Sequence, residues 1–151
     1  MSTDLVIRRA RPDDAAAVAA LLADLGYPAN GADAVRRRLA MWEREPSGVV
    51  LVAEDDARVV GTVAVAAAPF LERDGRWGRI VALVTAAGYR GRGIGRRLVE
   101  AAERTAGDLG CVRMEVTSGR HRDGSHPFYR HLGYEDSGDR SVRYLKDLPP
   151  S

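Results

Sequence analysis

Cysteine is nearly absent from this chain, and that absence narrows the chemistry at once. A lone Cys111 has no partner for an intrachain bridge, which excludes a disulfide-built secreted scaffold and fits a reducing cytoplasm. Long apolar runs are missing too. No segment approaches the ~20 consecutive apolar residues of a membrane span, and Met1 to Arg11 carries charges where a signal peptide has its apolar stretch. A cytoplasmic chain with no membrane partner is therefore expected. Nor does one sign of charge dominate: 23 Lys+Arg are interspersed with 21 Asp+Glu, giving a net charge of +2, which argues against a nucleic-acid partner. Lysine is represented by Lys146 alone, so arginine supplies every other basic side chain. His121, His126 and His131 stand five apart, which spreads them around a helix, and no Cys or carboxylate completes a set with metal-ligand spacing; no metal is expected. A chain of 151 residues fits a single domain over 1–151 that buries roughly two thirds of its unfolded surface.

What is present is a regular alternation of strand and helix signals. Asp4 to Arg8 alternates like a strand, and Arg11-Pro12-Asp13-Asp14 opens a helix whose Val18, Leu21, Leu22 and Leu25 share one face until Gly26 and Pro28 end it. Asn30 or Asp33 opens a second helix, with Val35, Leu39 and Trp42 on one face and Pro46 as its stop. Val49 to Ala53 and Val59 to Ala66 read as a hairpin across the acidic turn Glu54-Asp55-Asp56-Ala57. Pro69 to Arg79 is polar and irregular apart from Phe70, Leu71 and Trp77, whereas Ile80 to Thr85 has the continuous apolar character of a central strand. A long helix begins at Ile94, with Leu98, Ala102, Ala106 and Leu109 inward and an Arg96, Glu100, Arg104 ladder outward, and Gly107 with Gly110 terminates it. Val112 to Val116 alternates as a strand, Ser125 to Leu132 is a short helix closed by Gly133, and Val142 to Leu145 is a last strand. Hairpins mixed with helical crossovers predict an α/β chain, a mixed sheet flanked by helices.

Between the central strand and the long helix lies Arg90-Gly91-Arg92-Gly93-Ile94-Gly95. Three glycines let the backbone curl with its amides inward, and the helix start adds unpaired N–H groups and a positive dipole end, together of order 0.3–2 kcal/mol per bound charge. Arg90, Arg92, Arg96 and Arg97 surround this nest, which suits a diphosphate. Two rival readings fit poorly. A dinucleotide site calls for G-x-G-x-x-G near a first strand, and a nucleoside triphosphate loop calls for Gly-Lys-Ser/Thr.

Arg90-x-x-Gly93-x-Gly95 resembles the Q/R-x-x-G-x-G/A acetyl-CoA motif of the GNAT family of N-acetyltransferases, and Phe128-Tyr129-Arg130-His131-Leu132-Gly133-Tyr134 is similar to that family's F-Y-x-x-x-G-F/Y segment. The resemblance covers nearly the whole chain. It implies a mainly antiparallel sheet with splayed central strands, acetyl-CoA as the acetyl donor, and an amine as acceptor. It further implies a diphosphate site on Arg90, Gly91, Arg92, Gly93, Ile94, Gly95 and Arg96, and backbone pairing of pantetheine with Leu83, Val84 and Thr85. Arg122 stands where the family commonly has Asn, so that residue's contact is not carried over; Thr85 replaces a frequent Val at a position that acts through its backbone. The acceptor walls implied by the family fall on segments that contain Tyr27 and Trp77, and the C-terminal strands imply a homodimer surface over Asp136 to Leu148.

Forming an amide from a thioester requires a neutral amine, a stabilised oxyanion and a proton for the departing thiolate. Tyr129 matches the family position that donates this proton. For the general base, Glu54, Glu72, Glu115 and His126 stand as equal candidates and none is selected. A small-molecule primary amine is the expected acceptor. Alternatives are a protein N-terminus or lysine, and a non-catalytic acyl-CoA sensor.

Overall fold

The computed structural model describes residues 5–117, 125–137 and 143–150. The chain divides into two compact units, Met1–Thr117 and Ser118–Ser151.

In the first unit, strand β1 (Leu5–Arg9) leads through a 3₁₀ turn at Pro12–Asp14 into α1 (Ala15–Leu25). Pro12 presets the turn, and Gly26 ends α1 in the left-handed conformation at φ 113°. Helix α2 (Ala32–Glu43) follows, capped by the backbone of Gly31 and not by Asn30 or Asp33. The Asn30 side chain turns back instead, donating to the Tyr27 carbonyl and accepting from Arg38. Ala15 and Val18 of α1 and Val35 and Leu39 of α2 close on Val52 with Ala10, the core of one layer.

Five strands form one sheet in the order β1-β2-β3-β4-β5, with β2 at Gly48–Asp55, β3 at Arg58–Pro69, β4 at Arg76–Thr85 and β5 at Cys111–Val116. The first three pairings are antiparallel and the last is parallel, because helix α3 (Ile94–Asp108) carries the chain from β4 back to the start of β5. Strand alternation separates the helices by face. A Cβ at Gly48 would strike the Trp42 ring of α2 at 2.7 Å, whereas one at Gly61 would meet Leu98 of α3 at 2.9 Å. Gly48 pairs with Ala66, of opposite parity to Gly61, so α2 and α3 lie on opposite faces of the sheet. Leu98 and Val99 are wholly buried there, each contributing about 1.5–3 kcal/mol.

Four boundaries differ from the sequence reading. The β2–β3 turn is only two residues, Asp56 and Ala57, both at positive φ (50° and 65°), the primed turn that matches strand twist. The stretch Pro69–Arg79 is a second hairpin and not irregular chain, since β3 reaches Pro69 and β4 starts at Arg76. Its buried position on β4 is Gly78, so the alternation of burial there has no apolar side chain to show it. Gly107 stays helical on the solvent side, and the chain turns instead at Gly110 with φ 89°. Residues 143–150 form no strand, and Val142 lies outside the described residues.

Two features of β4 position the site. Ala64 pairs with Ala82 and Val65 with Ile80, which leaves Val81 as an extra, bulged residue, 49% exposed. Pairing with β5 ends at Ile80 with Val116, whereas pairing with β3 continues to Thr85. Beyond the bulge, β4 therefore has a ladder partner on one side only among the described residues.

The second unit contains α4 (Ser125–His131), closed by Gly133 at φ 92°. Arg122 and the Asp123-Gly124 turn lie outside the described residues.

Candidate active site

Leu83, Val84 and Thr85 pair with Val63, Thr62 and Gly61 of β3, and Val84 is buried at 5% exposure. The chain then leaves the sheet, with the Ala86 amide donating to the Val60 carbonyl at 2.8 Å and a 3₁₀ turn at Ala87–Tyr89. Gly91 and Gly93 adopt φ 80° and 78°, a conformation that costs an L side chain roughly 1–2 kcal/mol. Among the described residues, and apart from the chain neighbours, no heavy atom stands within 4 Å of a Cβ built on either.

Helix α3 starts without a side-chain cap and with no acidic residue in its first turn. The Gly93 carbonyl accepts from the Arg97 amide at 3.1 Å, the first bond of the helix, so the amides of Ile94, Gly95 and Arg96 have no helical carbonyl to meet. Positive charge is added where the dipole is already positive. Among the described residues no carboxylate lies within 4.0 Å of the Arg90, Arg92 or Arg97 guanidinium, and Arg96 reaches Glu100 only at 3.7 Å on the exposed surface. Arg92 rests over the Tyr89 ring at 4.9 Å, with Arg58 at 5.7 Å from the same ring. An arrangement so poor in counter-charge is complementary to an anion, and the glycine cradle admits a diphosphate. Ile94 differs from its neighbours, because its side chain is core, 5% exposed, and only its amide faces the turn's chemistry.

Trp77 lies nearer the other end of β4. It lines an open groove of about 340 Å³ with Pro69–Glu72, Arg113 and Glu115. Arg79 spans the strands just short of the break in pairing, 3.8 Å from Glu115 and donating to Thr117 Oγ1 at 3.1 Å. Tyr27 does not join this groove. It follows α1, 59% exposed, its amide bonded to the Leu22 carbonyl. Of the base candidates, Glu72 and Glu115 line the groove, Glu54 is engaged by Arg8 at 3.2 Å, and the His126 side chain lies outside the described residues. The sequence reading set Phe70 apart from its polar stretch but gave no role to it, to Arg73 or to Arg113. The available signal was an apolar pair, Phe70-Leu71, inside a polar stretch, and Arg113 two residues before Glu115 on one strand face.

In the second unit Tyr129 is half-buried and meets Phe128 and Tyr134 edge-on, with ring centroids at 5.1 and 5.8 Å. The Tyr134 amide bonds the Tyr129 carbonyl at 3.0 Å, which folds the Gly133 turn back on the helix. No described helix is long and apolar enough to cross a membrane, and no group of three metal-ligating side chains occurs among the described residues.

Solved structures resemble this fold along almost its full length. A transcriptional regulator from Bacillus halodurans C-125 is 26% identical with a TM-score of 0.83, over 95% of this chain and 99% of that one. A Trypanosoma brucei acetyltransferase is 25% identical with a TM-score of 0.79, over 96% and 100%. The aminoglycoside N-acetyltransferase AAC(6′)-Iy, solved with CoA, has a TM-score of 0.81 at 18% identity over 95% of each chain, a likeness of fold. Among curated proteins no sequence match is found. The family model for GNAT acetyltransferases matches residues 16–134, a span that holds the glycine turn, the half-paired end of β4 and the Phe128–Tyr134 segment, and the chain accordingly belongs to the GNAT acetyltransferase family.

Proposed function

We propose that this protein transfers the acetyl group of acetyl-CoA to the primary amine of a small molecule by direct attack of the amine on the thioester. The observation that carries this reading is the uncapped, arginine-ringed start of α3, one short turn after a strand end that has a ladder partner on one side only among the described residues. The amides of Gly91 to Arg96, with Arg90 and Arg92, hold the CoA diphosphate. Backbone groups of Leu83, Val84 and Thr85 pair with pantetheine as a further strand would. Trp77 walls the acceptor side, with Tyr27 a second contact from the α1–α2 connection. Tyr129 is the general acid that donates its phenolic proton to the departing thiolate, and CoA supplies no other chemistry than the activated acyl group. The chain acts in the cytoplasm, and exposed Tyr144, Leu145 and Leu148 offer a homodimer surface.

Calorimetric titration with acetyl-CoA together with thiol release across an amine panel tests the reading. Binding below millimolar and amine-dependent release are expected. A second reading is a non-catalytic sensor, favoured by the transcriptional-regulator name of the Bacillus halodurans structure. Tight binding with no release on any small amine, peptide N-terminus or lysine would replace the enzyme by that sensor. Absence of acetyl-CoA binding would remove both.

A further inference from the structure

We infer that the acceptor is amphoteric, an amine bearing a carboxylate or phosphate a few bonds away, and that the Phe70–Trp77 groove recognises both of its charges. This rests on the acetyltransferase reading and names the substrate class of the same site.

The groove contains charges of both signs that do not neutralise each other. Arg73 and Arg113 stand 4.4 and 5.7 Å from the Phe70 ring, held by its π face. Neither guanidinium has a carboxylate within 4.0 Å among the described residues, although Glu72 and Glu115 line the same depression as Arg113. Glu72 has no ion-pair partner there either, and the contact of Glu115 with Arg79 is loose at 3.8 Å. Opposite charges set apart in one groove match the two ends of a zwitterion, the ligand that meets both at once. A purely cationic amine leaves Arg113 facing its charge, and a simple anion does the same to Glu72 and Glu115.

Position and size agree with an acceptor. Glu115 pairs with Arg79 one rung before the last β4–β5 pair, Ile80 with Val116. That places its Cα about one strand step, ~3.3 Å, from the last pair of the two strands. An ammonium on Glu115 is thereby set beside the end of the described β4–β5 pairing, while the acidic group extends toward Phe70 and Arg113. A groove of about 340 Å³ matches a single amino acid or small amino phosphate. A protein N-terminus or lysine has no such acid beside its amine.

The test is steady-state thiol release with acetyl-CoA on matched pairs: phenylalanine against phenethylamine, and phosphoethanolamine against ethanolamine. In at least one pair the amphoteric member should exceed its partner about tenfold or more in kcat/KM, and which pair does so separates carboxylate from phosphate. Arg113→Gln should reduce that ratio at least fivefold with acetyl-CoA affinity, measured by calorimetry, retained. Quenching of tryptophan fluorescence by phenylalanine or phosphoethanolamine without donor gives a readout independent of turnover. Ratios near one, a ratio unchanged by Arg113→Gln, or neither turnover nor quenching would overturn the amphoteric assignment. Failure of acetyl-CoA titration alone would instead strike the acetyltransferase reading beneath it.

Discussion

Ala57 occupies a backbone conformation that its own methyl group disfavours. With φ 65° in a two-residue hairpin turn beside Asp56 at φ 50°, it carries roughly 1–2 kcal/mol of local strain that glycine would not. Ala57→Gly should therefore stabilise the protein by about 1 kcal/mol, after the opposing loss of chain entropy, and raise Tm by about 2–4 °C in a calorimetric scan. A lower Tm would mean that the turn is held by its neighbours without strain. Tyr129 poses a question of chemistry at the same scale. Tyr129→Phe keeps the edge-on ring contacts with Phe128 and Tyr134 and removes the phenolic hydroxyl. A fall in kcat of about 10²-fold with nearly unchanged acetyl-CoA affinity is expected of a general acid, and unchanged turnover removes the role.

At the scale of elements, α3 combines two kinds of glycine. Gly93 caps its start at φ 78° beside open space, whereas Gly107 lies inside it with ordinary helical geometry. Gly93→Ala should destabilise by roughly 1–2 kcal/mol and weaken acetyl-CoA binding about tenfold, because relief of the strain re-aims the first amides. Gly107→Ala should do the opposite for stability, gaining about 0.5–1 kcal/mol, with affinity unchanged in the same titration. The sequence had paired Gly107 with Gly110 as a terminator, since spacing alone does not reveal which glycine needs positive φ. The glycine–arginine turn was legible because four like charges around three glycines have few structural explanations. The 69–79 hairpin was not, because the buried position that alternates with Trp77 and Arg79 is Gly78, which has no apolar side chain to reveal it. Glu72, Glu115 and Trp77 were site candidates in the sequence, but their sharing one groove with Phe70 and Arg113 emerges only from the register, which sets Trp77 opposite Arg113.

Across the first unit, one polar cluster fastens three elements. Arg8 of β1 forms a two-pronged pair with Asp14 at 2.9 Å and reaches Glu54 of β2 at 3.2 Å, while Asp14 also accepts from the Arg11 amide at 2.7 Å. The Arg8 guanidinium, more than any other neighbour, holds the Asp14 carboxyl below the usual carboxylate range. A depressed folded value adds stability that is complete above the unfolded pKa near ~3.9 and is lost as pH falls through the folded value. The urea midpoint should therefore decline below about pH 4. Asp14→Asn should cost about 2 kcal/mol at pH 7 and flatten that acid limb; an unchanged limb would assign acid sensitivity elsewhere.

Val81 has a consequence for how such a site can arise. Pairs on either side of it, Ala82 with Ala64 and Ile80 with Val65, are those of an uninterrupted antiparallel ladder. Striking out this one residue would leave every neighbour opposite its present partner and every side chain on its present face. The described β4–β5 pairing ends at Ile80, the residue just before it, so one added residue marks where β4 passes from two ladder partners to one among the described residues.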